Sequence, residues 1–174
     1  MKDMHRKIKC CVLFFLLLSV MSTSVLAQRG EITSGLHSRL SQYDKDFRPY
    51  EICFDFGYYF TDRFFGNIRF ENAVALFDIK GTESHYVNGI YGFNLGYRIV
   101  KFDGGVLDVR VGFGDSMIKK RDWKYMYYDA GINVNLGTAK VKPSLGLGVR
   151  FYDSRNNNYK DYTRAYLSLG FIFN

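Results

Sequence analysis

Proline occurs only twice in this chain of 174 residues, tryptophan once and histidine three times. Scarce proline suits a fold in which nearly every backbone N–H enters a hydrogen-bonded ladder. Two of the three cysteines, Cys10 and Cys11, stand near the start. Cys53 is left alone in the rest, so no internal disulfide can form there, and it reads as a small strand side chain rather than a reactive thiol. No apolar run beyond Ala27 approaches about 18 residues, which excludes spanning helices after that point. Catalytic signatures are missing too. There is no G-x-S-x-G, H-E-x-x-H, paired-cysteine or Walker sequence. Gly112 and Gly114 lack the third glycine of a nucleotide fingerprint and read as strand packing. Neither an enzyme nor a bound cofactor or metal is expected.

The first residues carry Lys2, Arg6, Lys7 and Lys9 against the single acid Asp3. An uncharged run follows from Cys10 to Ala27, apolar at Val12–Leu18 and softening through Ser22, Thr23 and Ser24. A basic head, a short apolar middle and a small-residue end form a secretory signal peptide. Cleavage is expected after Ala27, leaving residues 28–174 as one domain. The polar tail makes the run too short for a good transmembrane helix. A lipid-anchored cysteine should follow the apolar run, whereas Cys10 and Cys11 precede it. The whole chain has a net charge of +7, and removing the segment reduces it to a mild basic excess. Export removes nucleic acid as an expected partner.

What the chain has in plenty is aromatic residues, 18% of the total, together with 17 glycines. From Tyr50 onward, apolar and polar residues alternate in segment after segment. Such alternation places one set on each face of a sheet. Tyr50–Phe60 sets Tyr50, Ile52, Phe54, Phe56 and Tyr58 against Glu51, Cys53 and Asp55. Phe64–Phe77, Tyr86–Ile99, Val106–Met117, Tyr125–Leu136, Val141–Tyr152 and Asp161–Phe173 repeat the pattern. Asn72 interrupts the apolar set of its strand. Seven strands are legible in this way. Single-chain bacterial barrels have an even number, so the eighth is placed at Glu31–Leu40, where Ile32, Leu36 and Leu40 share a parity. The fold expected is an all-β, eight-stranded antiparallel up-and-down transmembrane barrel. Lipid imposes its closure, because an open edge would leave backbone groups unpaired in hydrocarbon.

Connections then alternate in length. Short turns fall near Asp62, at Phe102-Asp103-Gly104-Gly105 and at Gly137–Lys140. Longer polar loops are expected at Ser41–Pro49, Asp78–His85, Ile118–Lys124 and Asp153–Lys160. Short turns suit the periplasmic side and long loops the outside. Aromatic rings gather toward both rims: Tyr58, Phe60, Phe64, Tyr97 and Phe173 at one, Tyr50, Tyr86, Tyr128 and Phe151 at the other.

The inward set holds an interior polar cluster: Glu51, Asp55, Glu71, Asp108 and Asp129 against Arg69, Arg98, Arg110, Lys142, Arg150 and Arg164. Eight strands leave an interior that side chains fill, and charges buried there must be paired. A salt-bridged plug is therefore expected rather than a wide pore, although Gly112, Gly114, Gly146 and Gly148 leave room for a narrow channel. A soluble lipocalin is also an eight-stranded barrel, but with its apolar face inward; charged residues crowding the small inner face favour lipid outside. A surface basic loop, Lys119, Lys120, Arg121 and Lys124 around Trp123, is suited to lipopolysaccharide phosphates or an acidic extracellular or host ligand.

With its alternating strands and its final Phe171-Ile172-Phe173, the chain resembles the small outer-membrane β-barrel family that includes OmpX, Ail and the OmpA transmembrane domain. The resemblance covers nearly all of residues 28–174. It implies the outer membrane of a Gram-negative bacterium, contact with outer-membrane lipids, and insertion by the outer-membrane assembly machinery. Phe171 and Phe173 match the family's C-terminal assembly signal, whereas Ser168 stands where the signal has glycine and Asn174 follows the last aromatic. The function implied is a structural or surface-binding barrel acting through its outer loops. Some small outer-membrane barrels modify lipid A with Ser, His and an acid near the outer rim. Glu83-Ser84-His85 lies at that height, but adjacent residues rarely assemble as nucleophile and base.

Overall fold

A computed structural model of the chain describes residues 30–42, 44, 47–79, 82–117, 124–155 and 160–173, with the backbone alone at 76–79 and 82–86. The expected signal segment 1–27 lies outside the described residues. Eight strands are present: β1 (Ile32–Ser41), β2 (Arg48–Tyr59), β3 (Phe64–Ile79), β4 (Thr82–Phe102), β5 (Gly105–Ser116), β6 (Met126–Leu136), β7 (Val141–Asp153) and β8 (Tyr162–Phe173). Each pairs antiparallel with the next, and β8 returns to β1, giving a closed barrel in up-and-down order. The eighth strand expected at Glu31–Leu40 is β1, which lies between β2 and β8.

Alternation sets the faces. Along β2, Tyr50, Ile52, Phe54, Phe56 and Tyr58 are exposed while Glu51, Cys53, Asp55 and Gly57 are buried. Closure joins eight such strands, so the exposed apolar set forms a continuous outer surface and the polar set fills the inside. The break at Asn72 is real: its side chain is exposed on the outer face, opposite Ile52. A bulge in β4 between Arg98 and Val100 admits one extra residue. Two consecutive apolar residues, Ile99 and Val100, consequently both face out.

Local chemistry ends the strands at the end where β1 begins and β8 finishes. Thr61 Oγ1 accepts from the Phe64 and Arg63 N–H groups, tightening the β2–β3 turn. Asp103-Gly104 makes the β4–β5 turn. Gly137, at φ +89°, takes the left-handed conformation where β6 turns toward β7.

At the opposite end, residues 78–79 and 82–85 of the expected loop Asp78–His85 are instead paired strand. The β3–β4 ladder runs on through Phe77↔Ser84 and Asp78↔Glu83 to Ile79↔Thr82. The polarity of this stretch reads as loop, but polar residues pair readily where a hairpin leaves the barrel wall. Strand formers such as Val74, Phe77, Tyr86 and Val87 carry the ladder outward. Among the described residues, the β4–β5 pairing ends at Ile90↔Ser116, so the hairpin extends past it.

Inside, large rings lie over glycines. A Cβ on Gly114 would stand 2.5 Å from the Tyr127 ring, and one on Gly131 2.8 Å from the Tyr166 hydroxyl. Gly114→Val is therefore expected to cost about 1–3 kcal/mol through overpacking. Urea unfolding of the barrel refolded in detergent micelles checks this; an unchanged midpoint would show that Tyr127 moves aside freely.

Candidate functional site: the charged interior

The buried charges come from strands whose register sets them face to face. Arg39 of β1 is opposite Glu51 of β2, Asp55 is opposite Arg69 of β3, and Asp129 of β6 is opposite Arg150 of β7. Arg110 enters from β5 and Glu71 from β3. All eight side chains are buried, with Arg39, Arg69 and Arg150 fully so.

Arg69 grips Asp55 with two parallel bonds, Nε to Oδ1 at 2.5 Å and Nη2 to Oδ2 at 2.6 Å. This is the bidentate geometry that arginine alone offers a carboxylate. Asp129 Oδ2 accepts from Arg39 Nη1 and from Arg150 Nη2, each at 2.8 Å, and lies 3.7 Å from Arg69 Nη1. Arg150 Nη1 donates to Glu71 Oε1 at 2.7 Å and stands 2.9 Å from Glu51 Oε1. The Tyr152 hydroxyl donates to that same Glu51 oxygen. Rings support the cations: Arg150 lies 3.7 Å over Tyr127 and Arg39 4.5 Å over Tyr166.

Toward the β3–β4 hairpin end the network is covered by apolar and aromatic side chains. Phe47, Ala73, Ala75, Ile90, Tyr125, Tyr127 and Tyr152 form one buried cluster. Phe47 stacks on Tyr162 at 4.5 Å and meets Tyr152 edge-on at 5.2 Å. The interior is thus an ion network under an aromatic lid.

The sequence-predicted residues divide by height. Glu51, Asp55, Arg69, Glu71, Arg110, Asp129 and Arg150 converge in the network. Arg98 and Asp108 form a separate pair at 3.4 Å toward the short-turn end, where Arg98 also donates to Tyr59 and Asn135 donates to Asp108. Arg164 sits toward the outer end and pairs with Asp44 at 2.6 Å. Lys142 is half-buried next to the first rung of β7, opposite Ile172. Of the surface basic loop, Lys119, Lys120 and Arg121 lie outside the described residues, and Lys124 is half-buried. Phe171 and Phe173 face outward on β8. Glu83, Ser84 and His85 occupy consecutive rungs of β4 rather than a loop. Arg39 was missing from the expected set, though its parity with His37, opposite to Leu36 and Leu40, marks it as inward. The lid was missed as well, although Tyr125, Tyr127 and Tyr152 occupy inward parities.

The Glu51 and Glu71 carboxylates and the Cys53 thiol have donor atoms within 4.8 Å of one another, a set that suits a soft divalent metal. Arg150 already supplies positive charge between the two carboxylates, and Cys53 Sγ approaches Glu71 Oε2 at 3.6 Å.

Comparison with protein-family models and with curated proteins finds no match. Among solved structures, the chain is similar to the N-terminal β-barrel domain of Pseudomonas aeruginosa OprF. The two are 12% identical with a TM-score of 0.40, over 83% of this chain and 100% of that one. The fold assignment rests on the closed eight-strand pairing itself.

Asp129→Ala removes the shared partner of Arg39 and Arg150, and is expected to cost about 3–5 kcal/mol because both cations stay buried. Arg98→Ala is expected to cost less, about 1–2 kcal/mol, because Arg98 is itself partly exposed and the buried Asp108 keeps its bond from Asn135. Urea unfolding of the refolded variants compares them; equal costs would contradict the central place given to Asp129.

Proposed function

We propose that this chain is a small outer-membrane barrel, closed inside, that serves as a scaffold for binding at its outer end. The observation that carries the reading is the inversion of burial. Phe54 is 47% exposed and Leu147 55%, while Arg39, Arg69 and Arg150 are fully buried. Leaving such side chains in water costs about 1.5–3 kcal/mol each. A single apolar patch marks a partner surface, but an apolar surface on every side of a closed barrel fits lipid best. A lipocalin-like carrier would have the apolar set inside, which is the reverse of what the side chains do here.

The closed interior argues for a plug over a wide channel. An eight-strand barrel is narrow, and here its axis is crossed by Arg150 and Asp129 beneath the Phe47–Tyr152 lid. Specific binding then belongs to the connections. The end with the short turns is assigned to the periplasm and the β3–β4 hairpin end to the outside. There the basic residues Lys119, Lys120, Arg121 and Lys124 offer charge-assisted hydrogen bonds to lipopolysaccharide phosphates. The outward Phe171 and Phe173 on the last strand suit recognition by the outer-membrane assembly machinery. The runner-up, a lipid A-modifying enzyme, draws no support from Glu83-Ser84-His85 as consecutive rungs of one strand.

Membrane fractionation with and without heating tests the placement. Recovery in the outer membrane, with migration that shifts on boiling, is expected; recovery in the soluble periplasm would overturn it. Planar-bilayer recordings are expected to lack stable porin-sized openings. Reversing Lys119, Lys120, Arg121 and Lys124 to Glu is expected to weaken lipopolysaccharide binding at least tenfold without altering the heat shift. Unchanged binding would remove that loop from the function.

A further inference from the structure

Below the ion network, toward the short-turn end, lies a cavity of about 30 Å³ lined by polar side chains that include His37, Asn67, Arg110 and Asn133. A water needs roughly 10–15 Å³ of such space, so the cavity holds about two water-sized species. Arg110 is 5% exposed, and its Nε and Nη2 have no hydrogen-bond partner. Two orphaned donors on a buried permanent cation demand an acceptor.

The nearby carboxylates do not meet that demand. Asp55 stands 4.0 Å from Arg110 Nη1 and is gripped by both prongs of Arg69. Asp108 also lines the cavity, but it is held by Asn135 at 2.8 Å and paired with Arg98. Charge is therefore unevenly divided along the axis. Glu51, Glu71 and Asp129 outnumber Arg39 and Arg150 in the outer tier, while Arg69, Arg98 and Arg110 outnumber Asp55 and Asp108 around the cavity.

We propose that the cavity binds one small monovalent anion of chloride size against Arg110 Nε and Nη2. A halide is little larger than a water molecule, and it would neutralise the inner tier's excess cation. The unpartnered Asn67 Oδ1, which lines the same cavity, accepts one hydrogen bond from an accompanying water whose second O–H donates to the anion. The site needs only the folded interior, and stands apart from the membrane placement and the surface binding.

The probe is bromide. Crystals of the refolded barrel grown in bromide are expected to show an anomalous peak within hydrogen-bond distance of Arg110 Nε and Nη2. In detergent micelles at constant ionic strength, replacing gluconate by bromide is expected to raise the urea midpoint saturably, and Arg110→Met is expected to abolish the rise. A wild-type crystal with water at Arg110 and no anomalous peak would overturn the site. So would a peak without a saturable response in solution, which indicates an adventitious ion only, or an equal response in Arg110→Met. If Arg110→Met fails to fold, the wild-type crystal and wild-type titration decide together.

Discussion

Burying four arginines among four carboxylates is the constraint on which the rest of this barrel depends. A charge removed from water costs several kcal/mol, and the cost is repaid only when partners stand at hydrogen-bond distance with correct geometry. Asp129 illustrates the dependence. It comes from β6, yet it accepts from Arg39 on β1 and from Arg150 on β7. Strands far apart in sequence must therefore reach their final register before the network closes. A slip of one residue along any strand would carry its charges to the outer face and its rings inward.

That requirement explains why the interior alternates the very large with the very small. Arginines and tyrosines reach into the barrel, and glycines on neighbouring strands leave the rings room. Tyr127 lies over Gly114 and also forms the platform for Arg150; Tyr166 lies against Gly131 and beneath Arg39. Each ring thus does two jobs. It fills volume that water would otherwise occupy, and it presents a π-face to a cation whose hydrogen bonds do not use all its donors. Inward glycines such as Gly114 and Gly131 are part of this packing.

How much was legible in the sequence follows from what alternation encodes. Period-two patterning reports the face of each residue, so Glu51, Asp55, Arg69, Glu71, Arg110, Asp129 and Arg150 were all readable as inward. It does not report height along the axis. Arg98, Lys142 and Arg164 share the inward parity but stand toward the ends, because height depends on stagger between strands and not on any one strand's pattern. Arg39 was obscured by a short, weakly apolar strand in which Ser34 and Ser38 dilute the outward set. The β3–β4 hairpin was misread for a related reason. Outside the band of exposed apolar residues nothing requires one face to be apolar, so a paired strand loses the signature that distinguishes it from a loop.

The two ends of the interior differ in kind, and the difference bears on access. At the outer end Phe47 crosses the mouth, stacked on Tyr162 and packed edge-on against Tyr152, while Tyr152 itself bonds to Glu51. Lid and ion network are therefore one unit, since displacing the rings would cost Glu51 a hydrogen-bond donor. At the inner end the walls carry amides and hydroxyls with unsatisfied atoms, and the closest packing gives way to a small wet space. Asparagines such as Asn67, Asn94 and Asn133 bring donors and acceptors without charge, so they tolerate water where the arginines above them require carboxylates. The barrel is thus sealed from the outer side by aromatic packing and graded to polar hydration on the other. A solute entering from the short-turn end would meet Asp55 and Arg110, the two members of the central network that line that space.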